Sequence, residues 1–594
     1  MTKFNLFFAI VMVSMAVQFT NAKQISREQA IEMALQFSGT NAGMRSVHSA
    51  EFNQMTIAYS VADDSRDLLY VVNRGDGAGY VVVAGDDVVS NPVLGYAAGK
   101  SFDYASAPEN LRWWLSEYAR LIGHAVENGC TVTSAKALDR DIEPLVKTNW
   151  NQDYPFNSKC PTIDGQPTYT GCVATAVAQL MYYYRYPERG IGTKTYTDIK
   201  GCGQTLSADF GSTTYRWDDM DLFYDGTNND EANDAVATLL YHCGVAAGMK
   251  YGTDGSGVAS ADALMGLIDY FGYSKSTMYT NRDYHQFDDW IEMLYGELED
   301  GRPVYYEGVT ESGGAHAFIL DGCRSDGYFH VNWGWGGYLD EYYSILTLNP
   351  GEEQGAGGSN GGYAYRQGAF IGLRPSDGES EYALQIYCDG FSMLDANDNE
   401  ITEDTATQGD AAYFRIYNVA NMCLVPFEGY FGITMEDVST GNEVYTDYLY
   451  IKLGGDDYGH RYYYREIDVI FSLPLTLGDG VYRMYPIFTP DYETVEPTPM
   501  NVLASEPQYV YVTVKGNKIT MGEDVPAGVE NVPFSAETIV YPNPVGQTLT
   551  VNVDSGIERL EVFSLAGLQV LYINCDGESV AQLDMSVLPA GTYF

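Results

Sequence analysis

A cysteine at the start of an apolar, helix-forming run constrains this sequence more than any other feature. Cys172 follows a Thr-Gly break and opens a run that continues to Tyr184. Apolar side chains recur along the run at helical spacing, at Val173, Ala176, Val177, Leu180, Met181 and Tyr184. In the first turn of a helix, unpaired N–H groups and the helix dipole favour a thiolate. The sequence therefore predicts a cysteine of lowered pKa that can act as a nucleophile. The alternative is an inert core residue, the common fate of a small buried cysteine.

Two predicted strands downstream supply the partners that such a nucleophile needs. Residues 315–321 and 328–333 alternate in the manner of strands, and the Gly- and Asp-containing turn at 322–327 joins them as a hairpin. Counting back from this turn places His316 opposite Asn332 or Trp333. His316 follows Cys172 by 144 residues (316 minus 172), within the interval of about 130–150 that papain-type enzymes show. A cysteine facing a His–Asn pair is the nucleophile, base and orienter of a cysteine hydrolase.

Two alternatives stand beside this assignment. His316 would otherwise be a structural histidine in a strand, and His330 is the competing base. His330 lies two residues before Asn332 and therefore shares its face of the strand instead of opposing it. We favour His316.

Composition narrows the class of protein. The 594 residues include 80 acidic and 33 basic side chains, a formal charge of −47, which argues against nucleic acid and anionic membranes as partners. None of the nine cysteines forms a C-x-x-C pair, and we expect no metal and no cofactor. The odd number leaves at least one cysteine outside any disulfide.

The first residues predict export. Lys3 precedes an apolar run over residues 4–19, and small residues end it near Ala22, so residues 1–22 are typical of a signal peptide. A single transmembrane helix is the alternative.

The next hundred residues form a predicted unit without candidates for chemistry. Helices are predicted near residues 30–37 and 111–126, and strands at 69–72 and 79–84. Residues 131–141 are polar and read as an exposed connector.

After Pro375 the pattern changes to alternating strands between Gly, Asp and Asn turns, which predicts a β-sandwich. The strands are at 382–386, 412–416, 430–433, 481–485 and 509–513. Residues 395–400 look like a calcium loop, but Glu400 stands where the loop needs glycine, so we interpret them as a turn.

Four motifs in order closely resemble the streptopain family of secreted cysteine endopeptidases, which have a papain-like fold. They lie at residues 170–176, 303–308, 313–318 and 330–337. The turn at 309–315 borders the predicted cleft and is slightly longer than the family pattern, so the resemblance bears on the chemistry more directly than on substrate preference.

The resemblance implies further roles. Gln152 matches the glutamine whose amide forms the oxyanion hole with the Cys172 N–H, and Trp333 and Trp335 match the tryptophans that shield and orient the His–Asn pair. The glycines of 351–362 match a mobile loop at the cleft rim. Residues 23–140 become an inhibitory propeptide, with an independent binding domain as the alternative.

The last block, residues 540–594, resembles the C-terminal sorting domain of type IX secretion. The chain stops at Phe594, within what would be the final strands, so we expect a truncated domain.

Together these features predict an α+β protein with a papain-like peptidase domain, made as a zymogen and exported to the cell surface or medium. The predicted domains are a signal peptide (1–22), a propeptide (23–140), a peptidase domain (141–375), an Ig-like sandwich (380–520) and a sorting domain (530–594). Predicted partners are protein or peptide substrates, the propeptide as internal inhibitor, and the secretion machinery. Alternative functions are acyl transfer to an amine on the same fold, or a surface adhesin with a vestigial cysteine site.

Overall fold

The computed structural model describes most of the 594-residue chain. The described residues are 23–37, 55–128, 132–133, 137–309, 315–348, 367–394, 405–453, 463–472, 477–522, 539–541, 548–563 and 569–584, without 64, 76–77, 99, 346, 379–380, 408, 410 and 505. The expected signal peptide, most of the 309–315 turn, the 351–362 loop, the 395–400 turn and the chain end lie outside them. Within the described ranges, no helix is long and apolar enough to cross a membrane.

The N-terminal unit, residues 23–133, packs two helices on a four-stranded antiparallel sheet, which confirms its predicted helices and hairpin. Its elements are α1 (Arg27–Gln36), β1 (Thr56–Ala62), β2 (Asp67–Asn73), β3 (Tyr80–Ala84), β4 (Val93–Ala97), α2 (Glu109–Asn128) and β5 (Val132–Thr133). A capping box starts α1, because Ser26 and Gln29 each accept the other's backbone N–H with their side chains. α1 and α2 belong to different hydrophobic clusters and cover opposite faces of the sheet.

The second unit, residues 137–375, contains the predicted cysteine helix as its first helix. Its elements are β6 (Thr162–Ile163), β7 (Gln166–Pro167), α3 (Cys172–Tyr184), β8 (Thr193–Thr197), β9 (Thr205–Asp209), α4 (Asp230–Ala247), α5 (Ser260–Phe271), β10 (Met278–Asn281), a 3-10 turn (Arg282–Tyr284), α6 (Phe287–Glu299), β11 (Val304–Val309), β12 (Ala315–Cys323), β13 (Tyr328–Asn332), β14 (Glu341–Ser344), β15 (Thr347–Leu348) and β16 (Gln367–Ile371). α3 ends at Tyr184. Its C-cap residue, Arg185, adopts a left-handed conformation with φ of 47°, just before the predicted stop at Pro187.

One ten-stranded sheet runs through both units in the order β1-β2-β3-β4-β14-β13-β12-β11-β16-β10. The units meet where β4 pairs with β14, with Gly95 opposite Tyr343. A Cβ at Gly95 would lie 2.6 Å from the Tyr343 ring, so only glycine allows this close approach. Tyr118 of α2 also donates a hydrogen bond to the Ser344 carbonyl across the junction, at 2.5 Å. The N-terminal unit is therefore an extension of the second unit's sheet.

Alternation along β12 divides the packing between two cores. Ala317 and Ile319 pack with α3, α4 and α5 on one face, and Phe318 and Leu320 pack with α2 and α6 on the other. Neighbouring residues of this strand consequently contact the cysteine helix and the N-terminal unit.

The region after Pro375 is a β-sandwich, as predicted. Its strands are β17 (Ile386–Cys388), β18 (Gly390–Leu394), β19 (Thr405–Thr407), β20 (Ala411–Asn421), β21 (Phe427–Asp437), β22 (Glu443–Leu453), β23 (Tyr463–Ser472), β24 (Gly480–Thr489), β25 (Thr498–Pro499), β26 (Asn501–Val502), β27 (Val510–Lys515) and β28 (Lys518–Gly522). Five described strands form one sheet and seven the other, around a shared core. The strand predicted at 382–386 is wrong apart from Ile386. The Ala383 N–H donates instead to the Lys275 carbonyl, and the Gln385 N–H to the Cys423 sulfur.

The sandwich contacts the second unit around β10 and the turn after it. Tyr387 and Thr280 share a hydrogen bond of 2.6 Å between their hydroxyls, and the Tyr284 hydroxyl donates to Asp389 at 2.9 Å. Beyond the sandwich, β29 (Ile539–Tyr541), β30 (Thr548–Phe563) and β31 (Gln569–Asp584) form an antiparallel sheet.

Candidate active site

Cys172 is the first residue of α3, as the sequence predicts. Gly171 precedes the helix with φ of 89°, and a Cβ there would lie 2.7 Å from the Ser256 carbonyl oxygen. Glycine is therefore required both for the backbone conformation and for contact with the Gly-rich segment at 251–257. The half-buried Cys172 sulfur accepts a hydrogen bond from the Ala317 N–H at 3.4 Å.

The expected lowering of the Cys172 pKa is wrong in this structure. Burial raises the pKa of the thiol, and the carboxylates of Glu307 and Glu109 add to this effect. The N–H groups of Ala317 and Val173 oppose it without overcoming it. The cost of burying a thiolate here exceeds the benefit of the helix start.

His316 lies on β12, next to the residue that contacts the Cys172 sulfur, and is held by the N-terminal unit. It immediately precedes Ala317 on β12, and its Nδ1 lies 3.2 Å from Oδ1 of Asn110 at the start of α2. The Trp113 ring packs on the imidazole with centroids 5.6 Å apart. Burial lowers the pKa of His316, partly opposed by Glu109. Both the thiol and the imidazole are thus shifted towards their neutral forms.

The predicted pairing of His316 with Asn332 or Trp333 is wrong. Asn332 lies opposite Ile319, three residues further along β12. The β12 strand continues to Cys323, so the turn is shorter and lies further along the chain than the sequence suggested. A shift in register between Leu320 and Gly322 reduces this offset by one residue, because an unbroken register would place Asn332 opposite Leu320.

Asn332 is nevertheless anchored next to the cysteine helix. Its Nδ2 donates to the Thr148 carbonyl at 2.8 Å, and its Oδ1 accepts from Gln179 Nε2 at 3.1 Å and from the Gly334 N–H at 3.1 Å. Asn332 is 3% exposed, so these partners fix its orientation.

Sequence reasoning missed Gln179 and Asn110. Gln179 lies on α3 two turns after Cys172, is fully buried, and also accepts from Thr148 Oγ1 at 2.9 Å. A lone amide in an apolar helix was the signal that could have revealed it. Asn110 is 1% exposed, and it reaches the site from a segment 206 residues before His316.

The remaining predicted residues surround the same strands. Trp333 is fully buried, and its ring packs against Phe318 with centroids 5.0 Å apart. Trp335 is half-buried against the same core. Gln152 is 7% exposed. Its backbone carbonyl accepts a hydrogen bond from the Thr170 N–H at 3.1 Å, which connects it to the segment that leads into Cys172.

His330, the competing base, is used elsewhere. Its Nδ1 forms an ion pair of 2.6 Å with Asp321, whose side chain is fully buried. Burial lowers the pKa of His330, but the charge and hydrogen bond of Asp321 outweigh it, so the pKa is raised overall. Among the described residues, no cluster of His, Cys, Asp and Glu could hold a metal ion.

Comparison with known proteins identifies relatives of each region. The Peptidase C10 family matches residues 150–343, the Spi protease inhibitor family matches residues 22–122, and the secretion system C-terminal sorting domain matches residues 539–594. The inhibitor match covers the N-terminal unit that contacts His316.

Individual relatives agree with these matches. Streptopain of Streptococcus pyogenes is 31% identical over 379 residues, which cover 60% of this chain and 92% of streptopain. The thiol protease/hemagglutinin PrtT of Porphyromonas gingivalis is 34% identical over 393 residues, or 63% of this chain, but the match spans only 45% of PrtT. A solved prointerpain A fragment of Prevotella intermedia is 32% identical, covers 55% of this chain and 99% of the fragment, and has a TM-score of 0.47.

Proposed function

Because this chain belongs to the Peptidase C10 family of streptopain-like cysteine proteases, we propose that Cys172 is its nucleophile and His316 its general acid and base. The protein is a cysteine endopeptidase made as a zymogen, and its sorting domain directs it to the cell surface or the medium. One observation supports the pairing above all others. The Cys172 sulfur accepts the N–H of the residue that immediately follows His316.

The proposed reaction requires the N-terminal unit to leave. His316 then takes the thiol proton, and the Cys172 thiolate attacks the carbonyl carbon of the peptide bond. The C–N bond breaks as His316 returns the proton to the leaving amine, which leaves a thioester. His316 next removes a proton from water, and the hydroxide attacks the thioester to release the new carboxyl terminus and the thiol.

Gln152 and the Cys172 N–H are the proposed donors to the oxyanion. Each such donor contributes about 3 kcal/mol to transition-state stabilisation. Asn332 is the proposed orienter of His316, and Trp333 and Trp335 shield the pair. Asn332 and Trp333 are rigidly held, which favours a role in positioning a histidine that swings in after release.

The N-terminal unit is the proposed inhibitory propeptide of residues 23–140, and residues 141–375 are the proposed peptidase domain. Asn110 contacts the base, and Trp113 fills the space over Gly308, where a Cβ would lie 1.7 Å from the indole ring. Substrates are proteins or peptides, and the sorting domain engages the secretion machinery. The proposed signal peptide is residues 1–22.

Alkylation of Cys172 tests this function. Iodoacetamide at about pH 6 reacts with an activated cysteine but hardly with an ordinary thiol. We expect one equivalent of label in the processed protein, at Cys172, and little in the unprocessed chain. The Cys172→Ala chain and a Cys243→Ala chain, which loses a buried cysteine on α4, are the controls. No labelling of processed protein, or cleavage of casein by the Cys172→Ala chain, would show that the nucleophile is a different residue.

A further inference from the structure

Four tyrosines form a cluster on and beside the outer surface of the larger sheet of the sandwich, and we name this cluster the tyrosine face. Tyr430 on β21 lies opposite Tyr450 on β22, Tyr448 is two residues before Tyr450, and Tyr492 follows β24. Side chains alternate between the two faces of a strand, and the odd-numbered β21 residues after Tyr430 are fully buried in the core: Phe431, Ile433 and Met435. Tyr430 therefore faces away from the core. Tyr450 is 53% exposed and Tyr492 is 46% exposed.

The rings of the tyrosine face hold one another in place. Ring centroids are 4.7 Å apart for Tyr430 and Tyr492, 5.2 Å for the stacked Tyr448 and Tyr492, and 5.5 Å for Tyr430 and Tyr450. Gly432 leaves room for this arrangement, since a Cβ there would lie 2.9 Å from the Tyr448 ring. A ring that is already fixed loses little rotational freedom when a partner binds. This property is typical of tyrosines in binding sites.

Two exposed apolar side chains lie close to the tyrosine face along the chain. Val444 and Val495 are 40% and 43% exposed, and each lies within four residues of one of its tyrosines. Exposed apolar and aromatic side chains that are grouped in a patch are typical of interaction sites on soluble proteins. Tyrosine is also among the residues that contribute most to protein–protein binding energy.

The charge around the tyrosine face is more acidic than the chain as a whole. Residues 427–453 and 480–496, which hold β21, β22 and β24, contain eight Asp or Glu, one Lys and one Arg, whereas the whole chain has 80 Asp or Glu and 33 Lys or Arg. Lys452 is paired with Glu428 at 2.6 Å and Arg483 with Glu436 at 2.8 Å, so six of the eight carboxylates have no cation of these ranges beside them in an ion pair. Glu443 and Glu496 lie near enough to Tyr448 to act with burial in raising its pKa. The surface is therefore complementary to a cation and repels polyanions.

We propose that the tyrosine face binds basic, arginine-containing segments of other polypeptides. A guanidinium stacks on aromatic rings and forms paired hydrogen bonds with carboxylates, and both groups are present here. A neutral glycan could use the rings but would leave the excess negative charge without a counter-charge. Because the sandwich contacts the second unit, a basic protein bound to the tyrosine face would be held beside the peptidase domain. The binding itself does not depend on the proposed cysteine chemistry.

Binding of a short fluorescein-labelled peptide rich in arginine tests the proposal, with a counterpart in which glutamine replaces each arginine. The full-length Cys172→Ala chain prevents cleavage of the probe. We expect anisotropy to show binding of the arginine peptide only, and about tenfold weaker binding by the Tyr450→Ser/Tyr492→Ser variant. A Tyr154→Ser variant is the matched control, because it removes an exposed tyrosine (70% exposed) from the second unit and leaves the tyrosine face intact.

A second variant, Glu443→Gln/Glu496→Gln, leaves the rings intact and should also weaken binding several-fold. It keeps the proposal testable if the tyrosine variant unfolds. Equal binding by both variants and the parent would reduce the interaction to non-specific attraction by an acidic chain, and would overturn the proposal. Tyrosine-dependent binding of neutral oligosaccharides, without binding of the arginine peptide, would instead identify the tyrosine face as a glycan site.

Discussion

Nδ1 of His316 lies 3.2 Å from Oδ1 of Asn110, so the proposed base of the protease is bonded to its own propeptide. Asn110 also donates from Nδ2 to the carbonyls of Ala317, at 2.9 Å, and Trp333, at 3.1 Å. One buried amide thus contacts the base and both strands beside it. Inhibition on this geometry combines a covered site with a histidine whose Nδ1 is engaged by the N-terminal unit.

Replacing Asn110 by Ala should weaken this inhibition. Three hydrogen bonds are lost, each worth about 1 kcal/mol, so the open form should become at least tenfold more populated. We expect faster initial hydrolysis of a small peptide by the unprocessed chain and faster self-processing on a timed gel. Glu127→Ala, an exposed change on the same helix, is the control. An Asn110→Ala precursor as silent as the parent would show that Asn110 does not restrain the base.

The two histidines should respond differently to substitution. His316→Ala should abolish proteolysis with little loss of stability. His330→Gln should leave the chemistry but destabilise the fold by about 3 kcal/mol, because the buried carboxylate of Asp321 loses its partner. Peptide hydrolysis and urea unfolding of each variant provide the measurements. Full activity of the His316→Ala protein would transfer the base to another residue.

The stabilisation by His330 should depend on pH in a defined direction. Its pKa is raised in the folded protein, so the ion pair contributes fully below the unfolded value of about 6.5 and is lost as pH rises through the folded value. The difference in free energy of unfolding between parent and His330→Gln should therefore be largest near pH 6 and shrink in alkaline buffer. Measuring both proteins in a Cys172→Ala background avoids self-digestion. A gap that grows with pH would contradict the assigned ion pair.

Local patterns in the sequence predicted the elements that hold the candidate active site. The apolar spacing after Cys172 gave α3, and period-two alternation gave β12 and β13. Register was beyond reach, because the length of β12 and its irregularity near Gly322 depend on packing. Counting from the apparent turn misplaced Asn332 by three residues.

The family resemblance predicted that the propeptide blocks the peptidase domain, but the residues that make this contact could not be predicted from local sequence patterns. Asn110 meets His316 because β4 pairs with β14 and brings α2 across the second unit, and no local pattern encodes that pairing. The prediction of a lowered pKa for Cys172 was wrong for the same reason. The helix start was visible in the sequence, but the burial that outweighs it comes from the folded chain around it.

Gln152→Ala should slow the chemical step. Loss of one oxyanion donor typically lowers kcat by about 100- to 1,000-fold with little effect on substrate binding. We expect that pattern for processed enzyme on a peptide substrate, with unchanged iodoacetamide labelling of Cys172. Gln166→Ala, at an exposed position on β7, should behave as the parent. A rise in KM with unchanged kcat would instead place Gln152 in substrate binding.

The sandwich should be dispensable for chemistry but not for stability. A chain ending at Ser376 retains every proposed catalytic residue and loses the contacts of Thr280 and Tyr284 with the sandwich. We expect kcat/KM on peptides within a few-fold of the longer protein, and a lower thermal midpoint because those hydrogen bonds are lost. A folded but inactive truncated protein would show that the sandwich takes part in the chemistry.

Activation should convert the silent full-length chain to a product that begins between Asp141 and Leu145. In the described part of the predicted exposed connector, Ala137, Asp139 and Arg140 are exposed, as expected, but the backbone is also hydrogen-bonded along the sheet. Three backbone hydrogen bonds hold it: the Leu138 N–H donates to the carbonyl of residue 325 at 3.0 Å, the Ile142 N–H to that of residue 323 at 2.8 Å, and the Leu145 N–H to that of residue 321 at 2.7 Å.

A protease needs an extended and accessible segment, so these bonds must open before the cut, and opening should limit its rate. Glu143→Gln removes an exposed carboxylate that pairs with Arg324 at 2.8 Å and should modestly speed conversion. Mass spectrometry of the mature N-terminus locates the cut. A Cys172→Ala precursor should persist alone and be trimmed when active enzyme is added. If a product that keeps the N-terminal unit cleaved peptides at full rate, that unit would not be an inhibitor.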